Sequence, residues 1–397
     1  MRIGLLYPAA QPLDPRNWSG TPAGLAGGLA ANGVDLVPLA AAVPPGLHQG
    51  VALASRLGGH RGAVADRMPV RQWARTRALH RSVQAAGPLD AIVAMGTEMY
   101  DLRAAVAGAA PCISYDDGTL AQMWANPESD ISQAGFADRH VRAWIGRQAA
   151  SSGAAQLCAV STRWAAASFA ADYLIDPERI AVVGMGHRPR TAAAGNRSWD
   201  TPRYLFVGVD WQRKNGAAVL EAFARVRQDF PAATLDVVGG HPALDAPGVT
   251  GHGMISRDDA PGQRTLDGLY AAATCFVLPS RFDPSPISCL EAGSAGLPVI
   301  ATTVGGAAEL LPGGSLVVDP LDTGAIAAAM RTLADPARAR SMGAAARQAA
   351  ANCSWQHVGA RILDAALALP RQGAPAHGGN QAADSARGVG GGSHEGA

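Results

Sequence analysis

Short apolar runs alternate with longer stretches of helical character along this chain. The clearest runs lie at residues 3–7, 34–39, 90–95, 111–115, 156–161, 203–208, 233–238 and 275–278. Apolar runs of this length, bounded by turn residues, are typical of buried parallel strands. Strands that alternate with helices form βαβ units. The pattern therefore predicts an α/β fold built on doubly wound parallel sheets.

The chain is long enough for two domains. At 397 residues, each domain can bury a core of its own. A polar, irregular stretch with proline and glycine at 191–202 predicts an interdomain linker between domains at 1–190 and 203–352. A last helix is expected at 353–369. Residues 370–397 are rich in Gly and Ala without apolar periodicity, which predicts a disordered tail.

Composition excludes some classes of function. The formal net charge is +1, so no general affinity for nucleic acid is expected. Five cysteines are scattered without a C-x-x-C pair, which indicates reduced thiols used as core residues in a cytosolic protein. No apolar run has the length of a membrane span, and residues 1–7 read as a strand rather than a signal peptide. A cytoplasmic location is therefore expected.

The stretch 274–306 carries the most informative pattern. Its first apolar run is followed by a loop with three prolines at 279–286, a helix that contains Glu291, and a second apolar run at 297–301. Asp283 and Glu291 bracket the turn into this helix, with seven residues between them. A buried strand that ends in a loop at a helix N-terminus is a common anion and nucleotide site. Two acids at this spacing alone would also fit a solvated helix start.

This stretch resembles the donor site of the retaining GT-B glycosyltransferases of family 4, the glycosyl transferases group 1. The family's two acids, the following Ala and a Gly-x-Pro-Val-Ile strand match Asp283, Glu291, Ala292 and residues 296–300. The family usually has Glu at the first acid and a glycine-rich loop after it, where this chain has Asp and prolines. The resemblance covers about residues 1–369. It implies two Rossmann-like domains that face each other across a cleft, with a C-terminal helix that crosses back to the first domain.

The resemblance also implies roles for individual residues around the donor. Glu291 would hold the ribose hydroxyls, and Asp283 would contact the transferred sugar as a catalytic residue. The positions implied to approach the donor diphosphate are Gly20, Thr21, Ser285, Ile287 and Ser288. Met254 is implied as a contact of the nucleobase. For Thr21, a helix N-cap before Pro22 is an equally good interpretation.

Arg213 and Lys214 follow the strand at 203–208, where the family grips the donor diphosphate with an Arg and a Lys. The resemblance therefore assigns both cations to the diphosphate, and they would do the work of a metal. Lys214 is the only lysine in the chain, which favours a specific role. The family Arg often stands where this chain has Val209, so Arg213 would act from a different angle. We expect Lys214→Ala to lose turnover with little change in melting temperature.

Acidic residues follow two predicted strands of the first domain. Because strand C-termini point into the cleft of a doubly wound sheet, Glu98, Asp116 and Asp117 are candidates for that cleft. Asp116 takes the position at which many family members have a His close to the transferred sugar, and the resemblance implies a catalytic role there. The alternative is an Asp that caps the next helix.

An arginine-rich segment spans residues 61–81. It holds Trp73 and other apolar residues between Arg61, Arg67, Arg71, Arg75, Arg77 and Arg81. Such a segment could contact an anionic membrane or a phosphorylated acceptor. Family enzymes that use lipid-linked acceptors often carry such a helix in this domain. A solvated helix face fits the same pattern.

These features predict a glycosyltransferase that moves a sugar from a nucleoside-diphosphate sugar to a carbohydrate, lipid-linked or small-molecule acceptor, with retention of anomeric configuration. We expect no cofactor, no nucleic-acid partner and no metal, since the sequence has no D-x-D pair. One alternative is a GT-B phosphorylase or a sugar-nucleotide epimerase. Another is a catalytically degraded sugar-nucleotide-binding homologue, supported by Val209, Asp283 and the prolines of the donor loop.

Overall fold

The computed structural model describes residues 1–43, 46, 49, 50, 53, 68–190 and 197–370. These residues form two parallel sheets of six strands each. The first sheet contains β1 Arg2–Tyr7, β2 Asp35–Ala40, β3 Ala91–Met95, β4 Cys112–Asp116, β5 Leu157–Val160 and β6 Ile180–Val182. Its strand order is β2-β1-β3-β4-β5-β6, and all its pairs are parallel.

The second sheet is also parallel throughout. It contains β7 Arg203–Asp210, β8 Thr234–Gly240, β9 Val249–Gly251, β10 Cys275–Val277, β11 Val299–Thr302 and β12 Ser315–Val318. The order is β12-β11-β10-β7-β8-β9, so β12 is one edge strand. The opposite edge, β9, was not predicted, because three residues carry too little apolar pattern to identify a strand.

Helices cover both sheets. In the first domain they are α1 Thr21–Ala31, α2 Pro69–Ala86, α3 Leu102–Val106, α4 Leu120–Ala125, α5 Asp130–Gln133, α6 Asp138–Gly153 and α7 Arg163–Ala171. In the second they are α8 Gly216–Asp229, α9 Ala260–Ala272, α10 Ile287–Ser294, α11 Ala307–Leu310, α12 Thr323–Thr332, α13 Pro336–Ala351 and α14 Trp355–Ala368. In the second domain, α9 begins at Ala260 with Pro261 in its first turn.

The central strands are buried on both faces, which is why their sequences read as continuous apolar runs. Every residue of β3 and β4 is buried. In the second domain, Phe276 of β10 stacks on Tyr270 of α9 with ring centroids 5.9 Å apart. The predicted doubly wound α/β architecture is therefore confirmed. Four of the five free cysteines lie in these cores, and Cys353 is half-buried.

The last helix, α14, packs against α1 of the first domain. Its first residue, Trp355, lies so close to α1 that a Cβ added at Gly28 would overlap the Trp355 carbonyl oxygen. Val358 and Ile362 of α14 belong to the core of the first domain and are fully buried. The predicted helix that crosses back to the first domain is confirmed.

The carboxyl ends of the two sheets face each other, and direct contacts join them. The Ser161 and Ser285 hydroxyl oxygens are 2.5 Å apart. Arg281 of the second domain donates to Glu128 of the first at 2.7 Å. The predicted tail at 371–397 and residues 191–196 of the predicted linker lie outside the described residues. Within the described part of the chain, no helix is both long and apolar enough to span a bilayer.

Candidate active site

Glu291 is held on the buried side of α10, directly after the donor loop. Its side chain is only 3% exposed. Arg190 Nη2 donates to Oε2 at 3.0 Å, and the Tyr270 hydroxyl lies 3.4 Å from the same oxygen. The other oxygen, Oε1, is buried and has no hydrogen-bond partner among the described residues, with Arg257 Nη1 3.6 Å away. Because buried carboxylate oxygens are normally hydrogen-bonded, Oε1 is an acceptor suited to a ligand hydroxyl.

Lys214 and Asp283 form a buried ion pair at the mouth of the second sheet. Lys214 Nζ donates to Asp283 Oδ2, and Arg213 Nη1 lies 3.6 Å from that oxygen. The Ser285 N–H points at the other oxygen, Oδ1, at 3.3 Å. The Lys214 and Asp283 side chains are 11% and 8% exposed. Two cations against one carboxylate leave one positive charge in excess, which suits an anionic ligand.

The turn after β7 explains why the cations reach this position. Asp210 Oδ1 accepts the N–H groups of Gln212 and Arg213 at 3.1 and 3.0 Å, which fixes the turn. The Lys214 stem packs on Gly208, where an added Cβ would lie 2.9 Å from the Lys214 Cβ. Any larger residue at Gly208 would therefore push the ammonium group away from Asp283.

The predicted diphosphate contacts of the donor loop separate into two kinds. Ser285 lies against the first domain through Ser161, and its N–H is directed at Asp283. Ile287 and Ser288 are the first two residues of α10, whose N–H groups have no carbonyl partner within the helix. These two N–H groups lie at the positive end of the helix dipole, so they suit an anion better than Ser285 does.

Gly20 and Thr21 begin α1 on the opposite side of the cleft. Gly20 is the N-cap with φ +84°, and an added Cβ would lie 3.5 Å from Arg257 Cδ of the second domain. Thr21 is the first residue of the helix, and its hydroxyl is buried without a hydrogen-bond partner among the described residues. The interpretation of Thr21 as the N-cap is therefore wrong, since the cap is one residue earlier.

Asp116 and Asp117 have different surroundings although they are adjacent. Asp116 is buried and accepts from the Thr97 hydroxyl at 3.0 Å. Burial, with help from the nearby Glu98 charge, raises the pKa of Asp116 well above its usual value. The interpretation of Asp116 as a helix cap is wrong, because Thr119 caps α4. Its predicted catalytic role stays a prediction.

The pKa of Asp117 is affected by a charge of the second domain. Burial, the charge of Asp283 and that of Glu98 raise the pKa of Asp117 to about 7, although a hydrogen bond from the Trp18 side chain opposes this. Successive residues at a strand end point to opposite sides, so one of two neighbouring acids enters the cleft while the other enters the core. The sequence identifies both acids as candidates for the cleft, but it does not predict that Asp117 is the one near Asp283.

Other predicted positions lie further out. Met254 is 61% exposed and lies beside Gly240 at the end of β8. In the arginine-rich segment, Trp73 of α2 is 59% exposed and the Arg77 guanidinium lies 5.1 Å from its ring centre. Arg71 is buried, so this helix is not uniformly a solvated face. Arg61 and Arg67 lie outside the described residues.

Four residues of this region were not found from the sequence: Arg190, Arg257, Asp267 and Glu309. Glu309 accepts the N–H groups of Arg163 and Trp164 at 2.9 Å each, which are the first two residues of α7 in the other domain, after the N-cap Thr162. Arg190 and Asp267 are hydrogen-bonded to each other at 2.7 Å. No local pattern marks them, because each acts through a partner far away in the chain.

Known proteins resemble this chain in sequence and in fold. Residues 201–335 match the family model described as Glycosyl transferases group 1. The second domain belongs to this glycosyltransferase family. A glycogen synthase of Mycobacterium tuberculosis is 30% identical over 201 residues, which are 46% of this chain and 45% of that protein. A GDP-mannose-dependent alpha-(1-6)-phosphatidylinositol monomannoside mannosyltransferase of Mycolicibacterium smegmatis is 34% identical over 170 residues, 38% of this chain and 44% of that one.

The alignments with these two glycosyltransferases span less than half the length of each. Solved structures extend the likeness to nearly the whole chain. Sucrose-phosphate synthase from Thermosynechococcus elongatus superposes with a TM-score of 0.64 at 19% identity, covering 92% of this chain and 98% of that one. WaaG, a glycosyltransferase involved in lipopolysaccharide biosynthesis, superposes with a TM-score of 0.62 at 17% identity, covering 93% of this chain and 100% of that one. At such identities the likeness shows the fold, which is the GT-B fold.

Proposed function

We propose that this protein transfers a hexose-type sugar from a nucleoside-diphosphate sugar to an acceptor hydroxyl, with retention at the anomeric carbon and without a divalent metal. The observation that carries the proposal is one juxtaposition in the cleft. The cationic cluster of Arg213 and Lys214 lies beside the N-terminus of α10, and the same helix carries Glu291, whose Oε1 has no hydrogen-bond partner among the described residues. The names of the related glycosyltransferases support the same reaction class.

The proposed chemistry follows from these charges. As the bond between the anomeric carbon and the diphosphate breaks, negative charge accumulates on the departing nucleotide. Lys214, Arg213 and the first N–H groups of α10 are fixed before the reaction, so they stabilise that charge more in the transition state than in the ground state. Glu291 Oε1 would accept a ribose hydroxyl and hold the nucleotide in register.

The acceptor side of the site is proposed at Asp117. A carboxyl group with a pKa about 7 is balanced between its two protonation states near neutral pH, which suits a group that takes a proton from an attacking hydroxyl. Asp116 lies behind it as a hydrogen-bonded carboxyl that can orient Thr97. In this arrangement the acceptor enters from the first domain and the donor from the second.

The first experiment screens UDP, GDP and ADP and their glucose and mannose conjugates by thermal shift. Release of nucleoside diphosphate from the stabilising conjugate is then measured with and without EDTA. We expect release to survive EDTA and to fall on the order of 10²–10³-fold in Lys214→Ala. The exposed Arg225→Ala is the matched control, since its side chain pairs with Glu221 on the same helix, α8, and with no other acid of the described part of the chain.

Each alternative gives a different result in this assay. Loss of activity on chelation, restored by Mg²⁺ or Mn²⁺, would overturn metal independence. Binding of a sugar nucleotide without release would indicate a binding protein, and conversion of the sugar while it stays on the nucleotide would indicate an epimerase. Sugar phosphate formed with inorganic phosphate would indicate a phosphorylase.

We also propose a cytoplasmic location with a membrane contact through α2. The exposed Trp73 with the Arg77 guanidinium at its ring supports this, since aromatic and cationic groups together favour anionic membrane surfaces. Co-sedimentation with phosphatidylglycerol vesicles, compared with phosphatidylcholine vesicles, tests it. Binding that is equal for both lipids, or unchanged in Trp73→Ala, would contradict it.

A further inference from the structure

Arg190 reaches Glu291 from outside both sheets. It follows the first domain directly, at the start of the connection to β7, and is 3% exposed. Its Nη1 donates to Asp267 Oδ1 at 2.7 Å and to Gln263 Oε1 at 3.0 Å, while Nη2 donates to Glu291 Oε2 at 3.0 Å. Its guanidinium carbon lies 5.3 Å from the centre of the Tyr270 ring. One planar group therefore ties α9 to α10 at the position of Glu291.

The backbone of Arg190 is attached to the same helix. Its N–H donates to Ser294 Oγ at 2.9 Å, and that hydroxyl donates to the Glu291 carbonyl at 2.7 Å. Both the side chain and the main chain of Arg190 thus fix the turn of α10 that carries Glu291. A lysine could not replace this arrangement, since an ammonium group lacks the forked, planar set of donors.

The contacts of Arg190 determine the direction of the other Glu291 oxygen, Oε1. Arg190 occupies Oε2, so Oε1 is turned toward Arg257, whose side chain lies beside Gly20 of the first domain. Oε1 therefore faces the cleft between the domains. Without Arg190, the carboxylate would be free to rotate and to share its charge between Arg257 and the solvent.

We propose that Arg190 is the positioning residue for Glu291 and thereby determines how strongly the site distinguishes ribose from deoxyribose. This proposal rests on the proposed function, because it takes a nucleotide ribose as the partner of Oε1. Arg190 touches no substrate; it acts only by holding the carboxylate in one orientation.

The test measures the dissociation constants of UDP, GDP and ADP and of their 2′-deoxy counterparts by calorimetry. In the wild-type protein, the ribonucleotide that binds best should bind on the order of tenfold more tightly than its 2′-deoxy form. The reason is that the 2′-deoxy form lacks a hydroxyl that can donate a hydrogen bond to the charged Glu291 carboxylate. Arg190→Lys should reduce this ratio to near one. A purely structural role would weaken both nucleotides equally and leave the ratio unchanged.

Arg197→Lys is the matched control. Arg197 is also an arginine of the interdomain connection, and it donates to the carbonyls of Tyr270, Ala271, Ala295 and Gly296 at 2.9–3.1 Å. It contacts the C-terminal ends of α9 and α10 but not Glu291. We expect Arg197→Lys to lose stability and keep the ribose ratio.

Asp267→Asn is the second variant, because it loosens Arg190 without removing it, and circular dichroism verifies the fold of each protein. For Asp267→Asn we expect the preference for the ribonucleotide over its 2′-deoxy form to decrease in part. Wild-type discrimination retained in both Arg190→Lys and Asp267→Asn would overturn the inference and leave the proposed function standing. A wild-type protein that binds none of the three nucleotides would overturn both.

Discussion

Removal of Lys214 should cost stability as well as turnover. In the folded protein Lys214 Nζ donates to Asp283, and both side chains are almost fully buried. Lys214→Ala would leave the Asp283 carboxylate in the interior, with the Ser285 N–H at 3.3 Å and Arg213 Nη1 at 3.6 Å as its remaining partners. The burial of Lys214 therefore changes the expectation from the sequence, in which this substitution left the melting temperature almost unaltered.

The magnitude follows from these contacts. Removal of one partner from a buried ion pair costs about 3–5 kcal/mol, because the other charge is left uncompensated. Here Arg213 still lies near Oδ2 and one N–H still faces Oδ1, so the lower end applies. We expect the free energy of unfolding to fall by about 3 kcal/mol. Replacement of both partners, as in Lys214→Met with Asp283→Leu, should restore much of this loss, since no buried charge is left unpaired.

The assay is urea unfolding of the wild type, of Lys214→Ala and of the double variant Lys214→Met with Asp283→Leu. Tryptophan fluorescence and circular dichroism are both followed, so that coincident curves verify a single transition. Nucleotide release is measured on the same preparations. A Lys214→Ala protein that loses turnover but keeps its unfolding free energy within about 0.5 kcal/mol would refute the buried pair. Unchanged turnover would refute the diphosphate site itself.

Three further predictions concern other parts of the fold. The pKa of Asp117 is about 7 in the folded protein and about 3.9 when unfolded, so the unfolded chain releases its proton first and stability falls as the pH rises between these values. Asp117→Asn should therefore gain stability relative to wild type from pH 4 to 7 and no more above it; parallel curves of urea unfolding against pH would contradict this. Glu309→Ala should cost about 1 kcal/mol, because the N–H groups of Arg163 and Trp164 lose their acceptor, and should enlarge the radius of gyration in solution scattering, whereas Glu221→Ala should not. A chain that ends at Leu369 should keep its melting temperature, while one that ends at Ser354 should not, because it loses the buried face of α14; equal stability of the two would count against that packing.

Much of the architecture was readable from the sequence. Apolar runs such as that of β10 and the helical stretches between them are local patterns, and burial on both faces of a parallel sheet produces them directly. The order of these elements is sufficient to predict an α/β chain with two sheets, whereas the return of the last helix to the first domain was implied by the family resemblance. Asp283, Glu291 and Lys214 could be named because the sequence around them resembles the donor site of the glycosyl transferases group 1.

Tertiary structure alone decided which of these residues meet. Lys214 and Asp283 are 69 positions apart, and Arg190 and Glu291 are 101 apart. Pairing at such distances depends on how whole sheets and helices pack, which no local period encodes. The choice of Asp117 over Asp116 as the neighbour of Asp283 likewise depends on the twist of one strand end against the other domain. The sequence by itself determined the elements and the candidate chemistry, whereas the packing of the two domains determined the partners, because side-chain charges act through space and not along the chain.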